Sequence, residues 1–362
     1  MIKILTIIGA RPQIIKAATL SRRIKNHYSS KVEEVLVHTG QHYDENMSAV
    51  FFKDMDIPKP KYNIGMGGLS QSAMTGRMME GLEGICLKEN PDWVVVYGDT
   101  NSTLAGALVA SKLHIKLVHV EAGLRSHNMN MPEEVNRILT DRVSNLLFCP
   151  TNLAVKNLEA EGFNNFPTAK IKHVGDIMYE GAMHFSKQSK KPEELNNIHH
   201  KNYVLATIHR AETTNNVENL KSVIKALNTI NETTPVILPI HPRTRSSIRD
   251  HNLEVTFEMI NPVGYLEMLW LIQNCSLVIT DSGGLQKEAY FFEKCCLTIR
   301  TQTEWKELIE GGNNILVGYD VNKILSEFNT QRKFVSSGRL YGKGNTAELI
   351  LNEIIRTSKI LF

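Results

Sequence analysis

Short, almost unbroken apolar runs alternate along this chain with stretches whose apolar positions recur every three or four residues. In the first half the runs cover 3–8, 34–38, 93–97, 117–120 and 146–149, with helical patterns at 12–25, 70–88, 102–112 and 133–143. A strand that is apolar on successive residues is one covered by helices on both faces, so the order predicts a parallel, doubly wound sheet. The pattern then restarts, with strands at 203–207, 236–240, 277–280, 297–299 and 315–317 and helices at 217–231, 265–273 and 285–292. The stretch 186–201 between the two runs is polar, and 346–360 closes the chain as another amphipathic helix. We therefore expect an α/β protein of two Rossmann-like doubly wound domains, residues 1–170 and 171–345, followed by a helical segment 346–362. Two such domains imply a cleft between them, with ligands beyond the carboxyl ends of the strands.

Composition narrows this picture only slightly. A net charge of +3 over 362 residues gives no footprint for nucleic acid. The five cysteines show no Cys-x-x-Cys spacing, which points to core residues in a reducing compartment. The apolar start is short and broken by Lys3, and no run approaches the ~20 residues of a membrane span. We expect a cytoplasmic protein with no membrane partner.

The residues just after each strand carry the candidate chemistry. Thr280-Asp281-Ser282-Gly283-Gly284 joins a strand to a helix, and free N–H groups at such a helix start bind anions. Glu288, one turn in, is placed to reach a sugar hydroxyl beside a bound phosphate. His209, Arg210, His241 and Arg243 follow two other strands of this half and suit a diphosphate. In the first half, Gly9-Ala10-Arg11-Pro12 puts Arg11 and Lys16 at a helix start, against the dipole, as if an anionic ligand compensated. No G-x-G-x-x-G appears, so a dinucleotide cofactor is unsupported. Asp99, Glu121 and Glu133 each follow a strand or open a helix. Asp99 competes as a helix cap and Glu133 as an ordinary first-turn acid. Together the three acids suit proton transfer or a divalent metal, and composition does not separate these.

In this order the motifs resemble the non-hydrolysing UDP-N-acetylglucosamine 2-epimerases. The matching segments are 9–16, Gly40-Gln41-His42, Gly98-Asp99-Thr100, 121–125, Pro132-Glu133-Glu134 with Asn136-Arg137, His209-Arg210 with Glu212, His241-Pro242 with Arg243, and 281–286. The resemblance implies a glycosyltransferase-B-type fold whose last helix packs back on the first domain. It implies C2 epimerisation of UDP-2-acetamido sugars, UDP-GlcNAc to UDP-ManNAc, without NAD or metal. UDP is eliminated to a 2-acetamidoglycal and re-added, and the product feeds surface polysaccharide. A homodimer is also implied. On this resemblance Asp99, Glu121, Glu133 and His209 are catalytic. Arg11, Lys16, Gln41, His42, Arg137, Arg210, His241 and Arg243 bind substrate. Ser282, Gly283 and Gly284 hold phosphate, Glu288 the ribose, and the segment around Tyr265 the uracil.

The chain also departs from the usual motifs. Gln13 stands where the family usually has Glu, Trp305-Lys306 where it has Arg-Pro, and Thr213 where it has Asn. The loop 127–132 lacks its Ser-Pro-x-Pro form, and 65–69 lacks an Arg often found beside a second, activating UDP-GlcNAc site. These variants resemble the branch acting on UDP-2,3-diacetamido-glucuronic acid, where losing a Glu near the sugar relieves repulsion against a C6 carboxylate. That sugar is one alternative substrate. A UDP-sugar-dependent glycosyltransferase and a catalytically dead nucleotide-sugar sensor are alternative functions on the same fold.

Overall fold

The computed structural model describes residues 1–41, 55, 57–196, 202–336 and 338–359. They divide into two units, one of Met1–Gly181 with Arg339–Phe362 and one of Ala182–Gly338. The first unit thus runs past residue 170, where the sequence pattern placed the boundary.

The first unit begins β1 (Ile2–Ile8), α1 (Arg11–Arg23), β2 (Val32–His38), β3 (Tyr62–Asn63), α2 (Gln71–Glu89), β4 (Trp93–Tyr97) and α3 (Asn101–Lys112). It continues β5 (Lys116–Val120), α4 (Pro132–Val143), β6 (Leu146–Cys149), α5 (Asn152–Ala160), β7 (Lys170–His173) and α6 (Ile177–Phe185), the last crossing into the second unit. Its strands pair in parallel in the order β3-β2-β1-β4-β5-β6-β7. Ile4, Leu5, Ile7, Ile8 and Val94 to Val96 are fully buried, as strands with helices on both faces must be.

The second unit carries β8 (Val204–Thr207), α7 (Ala211–Thr214), α8 (Val217–Asn231), β9 (Val236–Pro239), α9 (Pro242–Asp250), β10 (Glu258–Ile260) and α10 (Tyr265–Asn274). Then follow β11 (Leu277–Thr280), α11 (Gly283–Phe291), β12 (Cys296–Thr298), α12 (Lys306–Glu310), β13 (Asn314–Leu316) and α13 (Val321–Asn329). The parallel order is β10-β9-β8-β11-β12-β13.

The last helix, α14 (Thr346–Lys359), returns to the first unit. Trp93 Nε1 donates to Ser358 Oγ at 2.9 Å, and Glu180 Oε2 accepts from the Ala347 N–H at 2.8 Å. The five cysteines are free and buried, and burial pushes the Cys296 thiol up to about 12. No helix among the described residues is long and apolar enough to cross a membrane.

Candidate active site

In both sheets the strand order reverses at one point, between β1 and β4 in the first and between β8 and β11 in the second. Loops leaving two strands that wind opposite ways part there, and the gap between them takes ligands. In the first unit Gln13 closes the bottom of that gap. Its Oε1 accepts from the Gly9 and Ala10 N–H groups at 2.9 and 3.1 Å, and its Nε2 donates to Tyr97 O and Thr103 Oγ1, both at 2.9 Å. Gln13 is therefore buried and turned inward. Its amide is fully occupied within the protein and is not free to bond a sugar.

Above this floor sit two carboxylates, each met by a cation. Lys16 Nζ is 2.5 Å from Glu121 Oε1, with both side chains buried. The anion that offsets Lys16 near the start of α1 is therefore Glu121 of the same chain, not only a ligand. Glu121 takes φ of +76°, left-handed backbone that any Cβ atom disfavours. Gly98, at φ +62°, lets the pair approach: a Cβ there would lie 3.2 Å from Lys16 Nζ and 3.4 Å from Glu121 Oε1. Asp99 does not cap α3. Thr100 does so by accepting from the Thr103 N–H, which leaves the Asp99 carboxylate to pair with Arg137 Nη2 and, at 3.2 Å, with Nε.

Arg137 also pairs through Nη1 with Glu134. Of the two acids that open α4, Glu134 is the fully buried one and Glu133 stays partly exposed. Burial alone would raise the Glu134 carboxyl. The Ser126 N–H, the Arg137 charge and the His127 N–H outweigh it and hold the group below the usual carboxylate range. Glu134 was not singled out from the sequence, since adjacent acids in a first helical turn look alike until the phase of the helix is known. Asn136 completes the wall by donating to Asp99 O at 2.9 Å. Gln41 accepts from Ser102 N and Oγ at 3.1 and 2.8 Å, tying its loop to the start of α3. Arg11 is the first residue of α1, and His42 lies outside the described residues.

In the second unit the corresponding gap is closed by Asp281, which is fully buried. It accepts from the His209 and Arg210 N–H groups at 3.0 Å and from Thr213 Oγ1 at 3.0 Å. His209 Nδ1 lies 3.4 Å from Asp281 Oδ1 while its side chain remains 40% exposed. The His241 ring stands 6.2 Å from that of His209. Its Nδ1 accepts from the Arg243 N–H and so caps α9. Burial, then the His209 and Arg243 charges, lower the His241 pKa, favouring the neutral ring.

Ser282 caps α11 with its hydroxyl, 3.4 Å from the Leu285 N–H. A Cβ on Gly283 would stand 2.5 Å from Glu304 Oε1, whereas one on Gly284 meets nothing within 4 Å. The helix start is therefore crowded on one side and open on the other. Glu304 pairs with Arg300 at 3.1 Å, and Lys287 Nζ stands 4.1 Å over the Trp305 ring. Glu288 is buried in the second turn of α11. Tyr265 is buried too, edge-on to Phe185 with centroids 6.3 Å apart. Its ring is thus core, and only the chain around it is left to meet a base. Among the described residues no group of three or more His, Cys, Asp or Glu side chains is placed to hold a metal ion.

Two Rossmann-like units define a glycosyltransferase-B-type fold. A UDP-bound ugt transferase from Siraitia grosvenorii shares that fold at a TM-score of 0.58 over 98% of this chain and 100% of the other, at only 8% identity. The sequence then narrows the class: the family model for UDP-N-acetylglucosamine 2-epimerase matches residues 24–355, and the chain belongs to that family of isomerases.

Among its relatives is the UDP-2,3-diacetamido-2,3-dideoxy-D-glucuronate 2-epimerase of Pseudomonas aeruginosa, 51% identical over 96% of this chain and 98% of the relative. The UDP-N-acetylglucosamine 2-epimerase of Methanocaldococcus jannaschii is 40% identical over 96% and 98%. The crystal structure of that M. jannaschii enzyme with UDP-GlcNAc and UDP superposes at a TM-score of 0.89, covering 98% of this chain and 99% of the other.

Proposed function

We propose that this chain epimerises C2 of a UDP-2-acetamido sugar. The C2–H bond and the C1–O bond to UDP break, a C1=C2 double bond forms, and UDP returns as a proton is delivered to the opposite face. The pairing of Glu121 with Lys16 and of Asp99 with Arg137 at one switch point carries the reading. Two carboxylates, each beside its own cation, suit a proton removed and a proton returned. Glu133, at the rim of the same loops, is the third proton-transfer group. His209 and Arg210, the open start of α11, and Glu288 hold UDP. The protein works as a homodimer, in the cytoplasm.

Within this class we assign the 2,3-diacetamido-glucuronate form of the sugar. The 51% identity to the P. aeruginosa enzyme and the neutral Gln13 in place of an acid support it. Because Gln13 is turned inward, its part is to keep a negative charge out of the floor rather than to touch the sugar. Plain UDP-GlcNAc is the second reading, supported by the M. jannaschii enzyme. Proton NMR in D2O separates them. Deuterium at C2 and a manno epimer from the diacetamido uronate, but not from UDP-GlcNAc, is the expected result. The reverse preference selects the second reading, and no exchange with either sugar rejects both. Asp99→Asn and Glu121→Gln should each lose about 100- to 10,000-fold in turnover while still binding UDP. Near-normal turnover in either variant removes that residue from the chemistry.

A further inference from the structure

His119 is fully buried on β5, two residues before Glu121. Its ring lies between two acceptors, with Nε2 2.7 Å from Gly98 O and Nδ1 2.6 Å from Asp141 Oδ1. A peptide carbonyl has no proton to give, so Nε2 donates. Asp141, fully buried on α4, also accepts through Oδ2 from the Gly123 N–H at 3.1 Å and from Arg125 Nη1 at 2.7 Å. Burial would raise its carboxyl, but the His119 and Arg125 charges and hydrogen bonds outweigh it and keep the group below the ordinary range. Arg125 is closed off on its far side by Glu161 at 2.6 and 2.8 Å.

One imidazole thus grips the peptide just before Asp99 and, through one carboxylate, the peptide two residues past Glu121. Both grips fall on left-handed backbone, with φ of +62° at Gly98 and +80° at Gly123. The Gly98 N–H closes the circuit onto Val120 O at 3.0 Å. A histidine that merely filled space in a strand would not bridge the backbones of both acid-bearing turns.

We propose that His119, held by Asp141, is a positioning residue that bridges the two acid-bearing turns and sets the spacing of Asp99 and Glu121. The proposal rests on the epimerase reading, since that reading gives the two acids their task.

The test begins with the unaltered chain. In 1H–15N NMR of the 15N-histidine-labelled protein, His119 should show a slowly exchanging Nε2–H resonance from its bond to Gly98 O; an unprotonated Nε2 overturns the proposal. The ring is assigned with His119→Gln, or by nuclear Overhauser contacts if that variant does not fold. In folded His119→Gln and Asp141→Asn, kcat and C2 exchange should fall about 100-fold, the scale of a misplaced catalytic group. KM for the UDP-sugar and affinity for UDP should stay unchanged. Unchanged kcat, or a parallel loss of UDP affinity, overturns the proposal. A wild-type chain silent in C2 exchange rejects the epimerase reading instead, and the Nε2–H resonance still judges the ring.

Discussion

Gln13 uses all four of its hydrogen-bonding positions inside the first unit, on Gly9, Ala10, Tyr97 and Thr103. Cutting it back to alanine strands buried N–H and C=O groups on both sides of the switch point. The expected loss is about 1–3 kcal/mol of stability, measured by urea denaturation of Gln13→Ala. The strand-end acids were legible in the sequence because position alone marks them. What Gln13, Glu134, Asp141 and Asp281 do was not, because each works by turning inward to backbone partners brought close only by the folded chain. His119 left one usable signal. A histidine inside the apolar run 117–120 must find buried partners, and asking for them leads to the neighbouring turns.

The central strands were readable because burial on both faces leaves an unbroken apolar run. Of the edge strands β13 was read, at 315–317, while β3, β7 and β10 were not. β3 is two residues long, and β7 reads Lys-Ile-Lys-His, with none of its four residues fully buried. Edge strands need only one good neighbour, so their composition is free to be polar. β3 is held less by apolar packing than by Glu89 at the end of α2, which pairs with Lys61 at 2.7 Å, Tyr62 OH at 2.6 Å and Lys3 at 3.4 Å. The hydrogen bonds from Lys61 and then Tyr62 lead in drawing its carboxyl from 4.5 down to about 2, against the push of burial. A depressed carboxyl stabilises the fold fully above its ordinary pKa and loses that contribution as the pH falls through the folded value. The stability difference between wild type and Glu89→Gln should therefore be constant above about pH 5 and shrink as the pH falls from 4.5 toward 2. A difference that does not change over that range would mean that the carboxylate charge is not what holds the edge.

At the scale of the whole molecule the proposed function divides the labour between the two units, nucleotide in one and proton chemistry in the other. That division was legible as acids in the first run of strands and bases in the second. Ligand-linked stability tests it. UDP at about 100 times its Kd should stabilise the chain by about 2.7 kcal/mol. Gly284→Val, which puts a branched side chain on the open face at the start of α11, should abolish the shift in Tm with UDP. Asp99→Asn should keep it. An unchanged shift in Gly284→Val would move the nucleotide away from that helix.

Glu121 has a backbone that suits glycine better than glutamate. The chain therefore carries, at this position, a residue that folds less readily than the simplest alternative. Exchanging Glu121 for alanine or for glycine removes the same carboxylate and abandons the same Lys16, so comparing the two cancels both losses and leaves only the backbone. In most strands and helices alanine is the more stable choice. At position 121 the order should reverse, with Glu121→Gly more stable than Glu121→Ala by about 1 kcal/mol in thermal denaturation. The size of that inversion would measure how much folding stability the chain gives up to aim an acid in one direction.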